Sequence, residues 1–300
     1  MTMILRQTFL IGIMLLAGIF AASEGHAVLL STGDGTGNDA PTEGFSEYDY
    51  VGTLNGASAT YLSNGWVITA NHVGVGDVTF EDGVHTPVPG TAVRLETTPG
   101  GFADLLMFQV VPLVDLPPFP ISNFSPSVND VAIMVGNGRN RGPSTSFDPN
   151  GPALAPPLVW GWEWEIERTI RWGTNSISSF PPVPIFNTVS FLTEFDSVNP
   201  TVFEAQATPG DSGGAVYVFN PVAGQQLSGI MIGLSGAPGQ GAGLSVFTNQ
   251  TVIARLDFYR DQIIDVIEAP EPKGAFYAGL VLLTTLTRNK LGSNRSRNAS

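Results

Sequence analysis

Short apolar or alternating runs, separated by turn residues, dominate the chain from Tyr50 to Thr248. They fall at Ala57–Leu62, Trp66–Thr69, Val78–Phe80, Ala92–Leu95, Leu105–Val111, Val131–Val135, Ile185–Leu192, Val202–Ala205, Ala215–Phe219, Gly229–Leu234 and Gly243–Thr248. Clusters such as Ser63–Asn64–Gly65 and Asn137–Gly138 stand between them. Eleven runs of strand length at this spacing predict an all-β barrel or sandwich. A different period begins near Asn249. Val252, Ile253, Leu256, Tyr259, Ile263, Ile264 and Ile267 recur at helical spacing, so an α-helix is predicted over 250–268, capped by Asn249 or Thr251 and ended by Pro270. No internal repeat is visible.

Both ends follow other patterns. Residues 1–27 carry one positive charge at Arg6, an apolar run from Phe9 to Phe20 and then small residues, the layout of a secretory signal peptide with cleavage after Ser23 or Ala27. Residues 28–48 are rich in Gly, Thr and acids without periodicity and read as a flexible lead-in. In residues 269–300, Pro270–Glu271–Pro272 precedes an apolar segment, Ala275–Leu286, and the cations Arg288, Lys290, Arg295 and Arg297. This end resembles the PEP-CTERM sorting signal of Gram-negative-type bacteria. That resemblance implies a cell-envelope or extracellular destination, transient membrane contact through the segment, and a sorting or processing peptidase as partner.

Composition narrows the function classes. Charged residues are only 13% of the chain, and 35 Gly with 23 Pro suit a turn-rich globular protein better than a coiled coil or a disordered chain. Between Val28 and Glu268, 24 acidic residues stand against 7 arginines and no lysine, a formal charge of −17 that repels nucleic acid and anionic lipid. The chain has no cysteine, which removes disulfides, thiol catalysis and cysteine-ligated metals. The sequence is silent on oligomeric state.

Candidate chemistry converges on three segments. Of three histidines, His26 lies at the edge of the leader and His85 among loop-type residues, whereas His72 in GWVITANHVG is delivered into a turn by an apolar strand. An imidazole held there suits proton transfer to and from a hydroxyl. An imidazole that becomes cationic in turnover needs an enclosed carboxylate, and Asp104 in GFADLLMFQV, followed by an apolar strand, supplies one. In TPGDSGGAVYV, Ser212 sits among glycines that let the backbone turn, so that the N–H groups of Gly210 and Ser212 converge where an oxyanion would form.

Thr69–His72 (TANH), Ala103–Leu106 (ADLL) and Pro209–Gly214 (PGDSGG), in that order, together resemble the chymotrypsin-like (trypsin-like) serine proteases. Val246–Phe247–Thr248 before a C-terminal helix extends the likeness over about 49–268. The resemblance implies two antiparallel six-stranded Greek-key β-barrels, about 49–120 and 128–248, and a C-terminal helix. It implies His72, Asp104 and Ser212 as a triad in the crevice between barrels, with Gly210 and Ser212 as oxyanion donors. A polypeptide is the expected substrate, and no metal or other cofactor is implied. By the same likeness Gln206 lies at the floor of the substrate pocket, where a neutral amide disfavours Arg or Lys. Gly229–Gly236 resembles the segment that pairs with an extended peptide.

Related zymogens pair a freed apolar N-terminus with the aspartate before the serine. No Arg-Ile-Val-Gly-Gly-like junction lies between Ala27 and Val51. Asp211 is therefore expected to find its charge partner in Arg139 or Arg141, within GNGRNRG. Trp160, Trp162, Trp164 and Trp172 are expected to be half-buried packing, with a groove lining as the other reading. The expected function is that of an exported serine endopeptidase. Its alternatives are a non-catalytic envelope-associated binding module on the same fold and an esterase using the same triad.

Overall fold

A computed structural model describes residues 28–41, 45–148, 158–237 and 239–269. The expected leader (1–27) and nearly all of the segment expected to act as a sorting signal (269–300) lie outside the described residues. A short β1 (Leu29–Leu30) is followed by β2 (Val51–Leu54), β3 (Ala57–Ser63), β4 (Trp66–Thr69), β5 (Val78–Phe80), β6 (Gly83–Pro87), β7 (Val93–Thr98) and β8 (Gly101–Val111). Strands β2 to β6 and β8 close a six-membered antiparallel ring in the order β4, β3, β2, β5, β6, β8, with β8 returning to β4 and β7 laid beside β8.

The second half comprises β9 (Val131–Gly136), β10 (Arg139–Phe147), β11 (Val159–Arg168), β12 (Arg171–Ser179), β13 (Ser190–Glu194), β14 (Ala205–Gln206), β15 (Ala215–Asn220), β16 (Gly224–Ser235), β17 (Leu244–Val246) and β18 (Gln250–Arg255). Here β12, β13, β18, β16, β15 and β9 form a closed barrel, and β10, β11 and β17 form a separate sheet. Helix α1 (Leu256–Glu268) ends the described chain. The fold is thus all-β, two six-stranded antiparallel barrels and one C-terminal helix.

Period-two alternation sets which way each strand faces. Along β8, Leu106, Phe108 and Val110 fill the first barrel with Tyr61, Val67 and Phe80, while Ala103, Leu105 and Met107 face a second cluster. That second cluster joins the barrels: Trp66 and Ile68 of the first meet Val135, Tyr217 and Ile230 of the second, and Leu256, Tyr259 and Ile263 of α1 close over it. Met134, Phe191, Val216 and Ile253 fill the second barrel.

Three expectations need correction. The helix starts at Leu256, not at 250, because β-branched Thr251, Val252 and Ile253 pair with both β13 and β16 as a central strand. The lead-in is docked at its start: Val28, Leu29 and Leu30 are buried, β1 pairs with β14, and Val28 and Leu30 belong to the second-barrel core. In the run Ile185–Leu192 the strand begins only at Ser190, since Phe186 and Asn187 take positive φ (50° and 55°) and turn the chain back so that Ile185 bridges Thr188 alone.

Candidate active site

Each side chain of the expected triad is placed by a different element. Strand β4 delivers Ala70 and Asn71 into a turn, where Val73 N–H donates to Ala70 O, Gly74 N–H to Asn71 O, and Gly74 takes φ +80°. His72 stands on this turn, its ring about half exposed. Asp104 lies on β8 with its side chain only 14% exposed. It grips His72 twice: Oδ1 accepts the backbone N–H at 3.0 Å and Oδ2 accepts Nδ1–H at 2.7 Å. That fixes the tautomer and leaves Nε2 free to accept the Ser212 hydroxyl at 2.9 Å. The carboxylate also favours the imidazolium, so His72 is held above its ordinary value of 6.5 despite the opposing effect of burial.

Ser212 sits in the turn between β14 and β15. Asp211 N–H donates to Thr208 O, Gly213 N–H to Met231 O and Gly214 N–H to Asp211 O. Among the described residues the N–H groups of Gly210 and Ser212 donate to nothing. Gly210 can be nothing but glycine, with φ +114° and a Cβ position 2.5 Å from Asn137 O. Two unspent donors therefore flank the hydroxyl, the arrangement an oxyanion requires. The first barrel braces the turn: Ser58 N–H donates to Ser212 O at 3.0 Å, Ser58 Oγ to Gly210 O at 2.9 Å and Thr60 Oγ1 to Gly213 O at 2.9 Å.

The expected partner of Asp211 is corrected. Arg141 donates to the carbonyls of Leu30 (2.9 Å) and Gly33 (2.7 Å), and Arg139 Nη1 to Glu165 O (3.3 Å). No ion pair forms at Asp211 among the described residues. Its carboxylate is wholly buried, and burial pushes it up to about 7 against the lowering effect of hydrogen bonds from Thr208 and, more weakly, the N–H groups of Val28 and Gly138. Oδ1 is left without a hydrogen-bond partner. GNGRNRG does serve this carboxylate, but through its glycines: a Cβ on Gly138 would stand 2.1 Å from Oδ2, and one on Gly136 2.3 Å from Oδ1.

Gln206 lies on β14 opposite Leu29, 1% exposed, and neither its amide nitrogen nor its amide oxygen makes a hydrogen bond. Of the tryptophans, Trp172 is buried, Trp162 and Trp164 are half-buried, and Trp160 is 59% exposed. His85 is not in a loop but on β6, buried between Pro112 O (2.7 Å) and Asp82 (2.8 Å). One feature was not anticipated from the sequence. A cavity of about 420 Å³ beside His72 is lined by Arg94, Asp104, Phe186 and Ile232.

No protein-family model and no curated relative matches the chain. Solved structures do. A single-residue variant of human heparin binding protein is 16% identical, with 80% of this chain and 99% of that one covered at a TM-score of 0.51. A double variant of the same protein is 15% identical, covering 79% and 97% at 0.50. Neuropsin, a serine protease of mouse brain, is 16% identical, covering 77% and 99% at 0.49. The chain has the chymotrypsin-like fold.

Proposed function

We propose that the chain is an exported serine endopeptidase. Ser212 Oγ attacks the carbonyl carbon of a peptide bond while His72 Nε2 takes the hydroxyl proton. The N–H groups of Gly210 and Ser212 bind the oxyanion, and His72 returns the proton to the leaving amine, which departs from an acyl-enzyme. Water, deprotonated by His72, then hydrolyses the ester. Asp104 orients the ring and stabilises its charge. The scheme needs no metal or organic cofactor.

The observation that carries the reading is the continuous chain from hydroxyl to imidazole to carboxylate, 2.9 and 2.7 Å, beside two unspent N–H donors. A charge of −17 over residues 28–268 disfavours nucleic acid as ligand. The test is a fluorophosphonate probe with casein cleavage as a second readout. Wild-type protein should be labelled and cut casein, and Ser212→Ala should do neither. Folded wild-type protein that takes no label would favour a binding module; turnover of p-nitrophenyl esters without casein cleavage would favour an esterase.

Activation belongs to the same reading. Val28 is fully buried with its N–H near a carboxylate that lacks a cation. Of the two leader cleavage sites, the one after Ala27 turns that N–H into an α-ammonium and gives Asp211 its charge partner. Leader removal would then activate the enzyme without a separate zymogen cut. Active protein should begin at Val28, and a form retaining residues 24–27 should label at least about tenfold more slowly; equal labelling rejects the idea. The segment 269–300 is the one we would assign to envelope sorting by a dedicated peptidase.

A further inference from the structure

Residues 28–268 carry seven arginines and no lysine. Only two of the seven, Arg94 and Arg168, are exposed. Arg139 and Arg141 are spent on backbone carbonyls, Arg171 is buried, and Arg255 and Arg260 stand beside Asp257 and Asp261. Neither exposed arginine has a carboxylate within 4.0 Å among the described residues.

These two flank the Ser212–His72 pair. Arg94 lines the cavity beside His72, its Nη2 on Ala103 O at 3.2 Å and its guanidinium 4.9 Å from the Phe102 ring centre. On the other side Arg168 lies along the oxyanion turn. Its Nε is 3.5 Å from Pro209 O and 2.8 Å from where a Gly210 Cβ would be, and its Nη1 reaches to 3.5 Å from the corresponding position on Gly56 of the first barrel.

The open sheet edge tells the two sides apart. Residues Gly233–Ser235 of β16 pair with β18 alone, because the β15 ladder stops at Ile230. An extended peptide added to this edge passes Ile232 and the Arg94 cavity with the residues that precede the scissile bond. The residues that follow it then run past Gly210 and Arg168.

We propose that the substrate is a polypeptide segment acidic on both sides of the scissile bond, its preceding carboxylate taken by Arg94 and its following one by Arg168. This rests on the peptidase reading above. A guanidinium presents paired N–H donors that match a carboxylate. Across residues 28–268 the net charge is −17, so an acid that meets no guanidinium gains nothing, and the two arginines select position as well as charge.

The experiment is digestion of a proteome-derived peptide library by the full exported protein, with cut sites read by mass spectrometry. Wild type should enrich Asp and Glu roughly threefold to fivefold within three residues on each side of the cut, the scale of partly exposed ion pairs. Arg94→Gln should lose the enrichment before the cut only, and Arg168→Gln after the cut only. Arg168→Glu should convert the latter into a preference for Lys and Arg. Each variant carries its own reference, the unaltered side, so a general loss of folded protein does not imitate the result. Cuts without acidic enrichment, in protein that takes the fluorophosphonate label, overturn this inference alone, as does enrichment that survives in the double variant. A library left uncut by unlabelled wild type overturns the peptidase reading with it.

Discussion

His72 feels two opposed influences, burial lowering its proton affinity and Asp104 raising it, and the carboxylate wins. A protonated ring cannot accept the Ser212 proton. The sign follows: kcat/KM should be full at high pH and fall as pH drops through a value above 6.5. Asp104→Asn should move that midpoint down and reduce kcat by about 10⁴-fold, checked by a pH–rate profile of both proteins. Gly138→Ala tests the cradle around Asp211. A Cβ placed 2.1 Å from a buried carboxylate oxygen must displace it, so stability should fall by about 2 kcal/mol or more in urea unfolding. The meeting of Ser212, His72 and Asp104 was legible because each stands in a recognisable local motif. The surroundings of Asp211 were not. Charge pointed to Arg139 and Arg141, whereas close backbone approach by Gly136 and Gly138, and by Val28 from the far end of the chain, decides what touches it.

At the scale of elements, β1 is the feature that composition concealed. Its neighbours are polar and glycine-rich, yet three consecutive apolar residues suffice to seat it against β14 and in the second-barrel core. Its consequence is a pH dependence. In a chain with residues still joined before Val28, Asp211 has a folded value of about 7 against 3.8 when unfolded. The folded state then holds a proton that the unfolded state releases, so stability present below pH 3.8 is lost as pH rises through about 7. The melting temperature of that form should fall between pH 5 and pH 8, and Asp211→Asn should flatten the slope. Helix α1 was legible from Leu256 onward because its apolar spacing meets the inter-barrel cluster. Ile263→Ala should cost about 2–5 kcal/mol by denaturant titration, since the side chain is fully buried there. The six residues of β18 were misread because an apolar run inside a sheet has no period of its own to separate it from a helix. Strand β11 was hidden differently: Trp160, Trp162, Trp164 and Ile166 do alternate with polar residues, but the alternation serves a side sheet with β10 and β17 and not a barrel.

For the whole molecule, the absence of cysteine means that packing and hydrogen bonds alone hold two barrels together. A strong reducing agent should leave both the melting temperature and the fluorophosphonate labelling rate unchanged, and a shift in either would contradict a fold free of cross-links. The barrels meet in one apolar cluster that α1 covers, and the histidine and aspartate come from one barrel while the serine comes from the other.

The bracing of the serine turn by Ser58 and Thr60 carries this division further. The turn that carries Ser212 is shaped by a strand it shares no sheet with, so on the peptidase reading neither half alone should be a lesser enzyme; each should be inert. A slight parting of the halves, by chaotrope or by a nick in the connector around Leu116, should silence turnover while the circular dichroism of both remains intact. The catalyst would thus report on its own assembly sooner than any spectrum does.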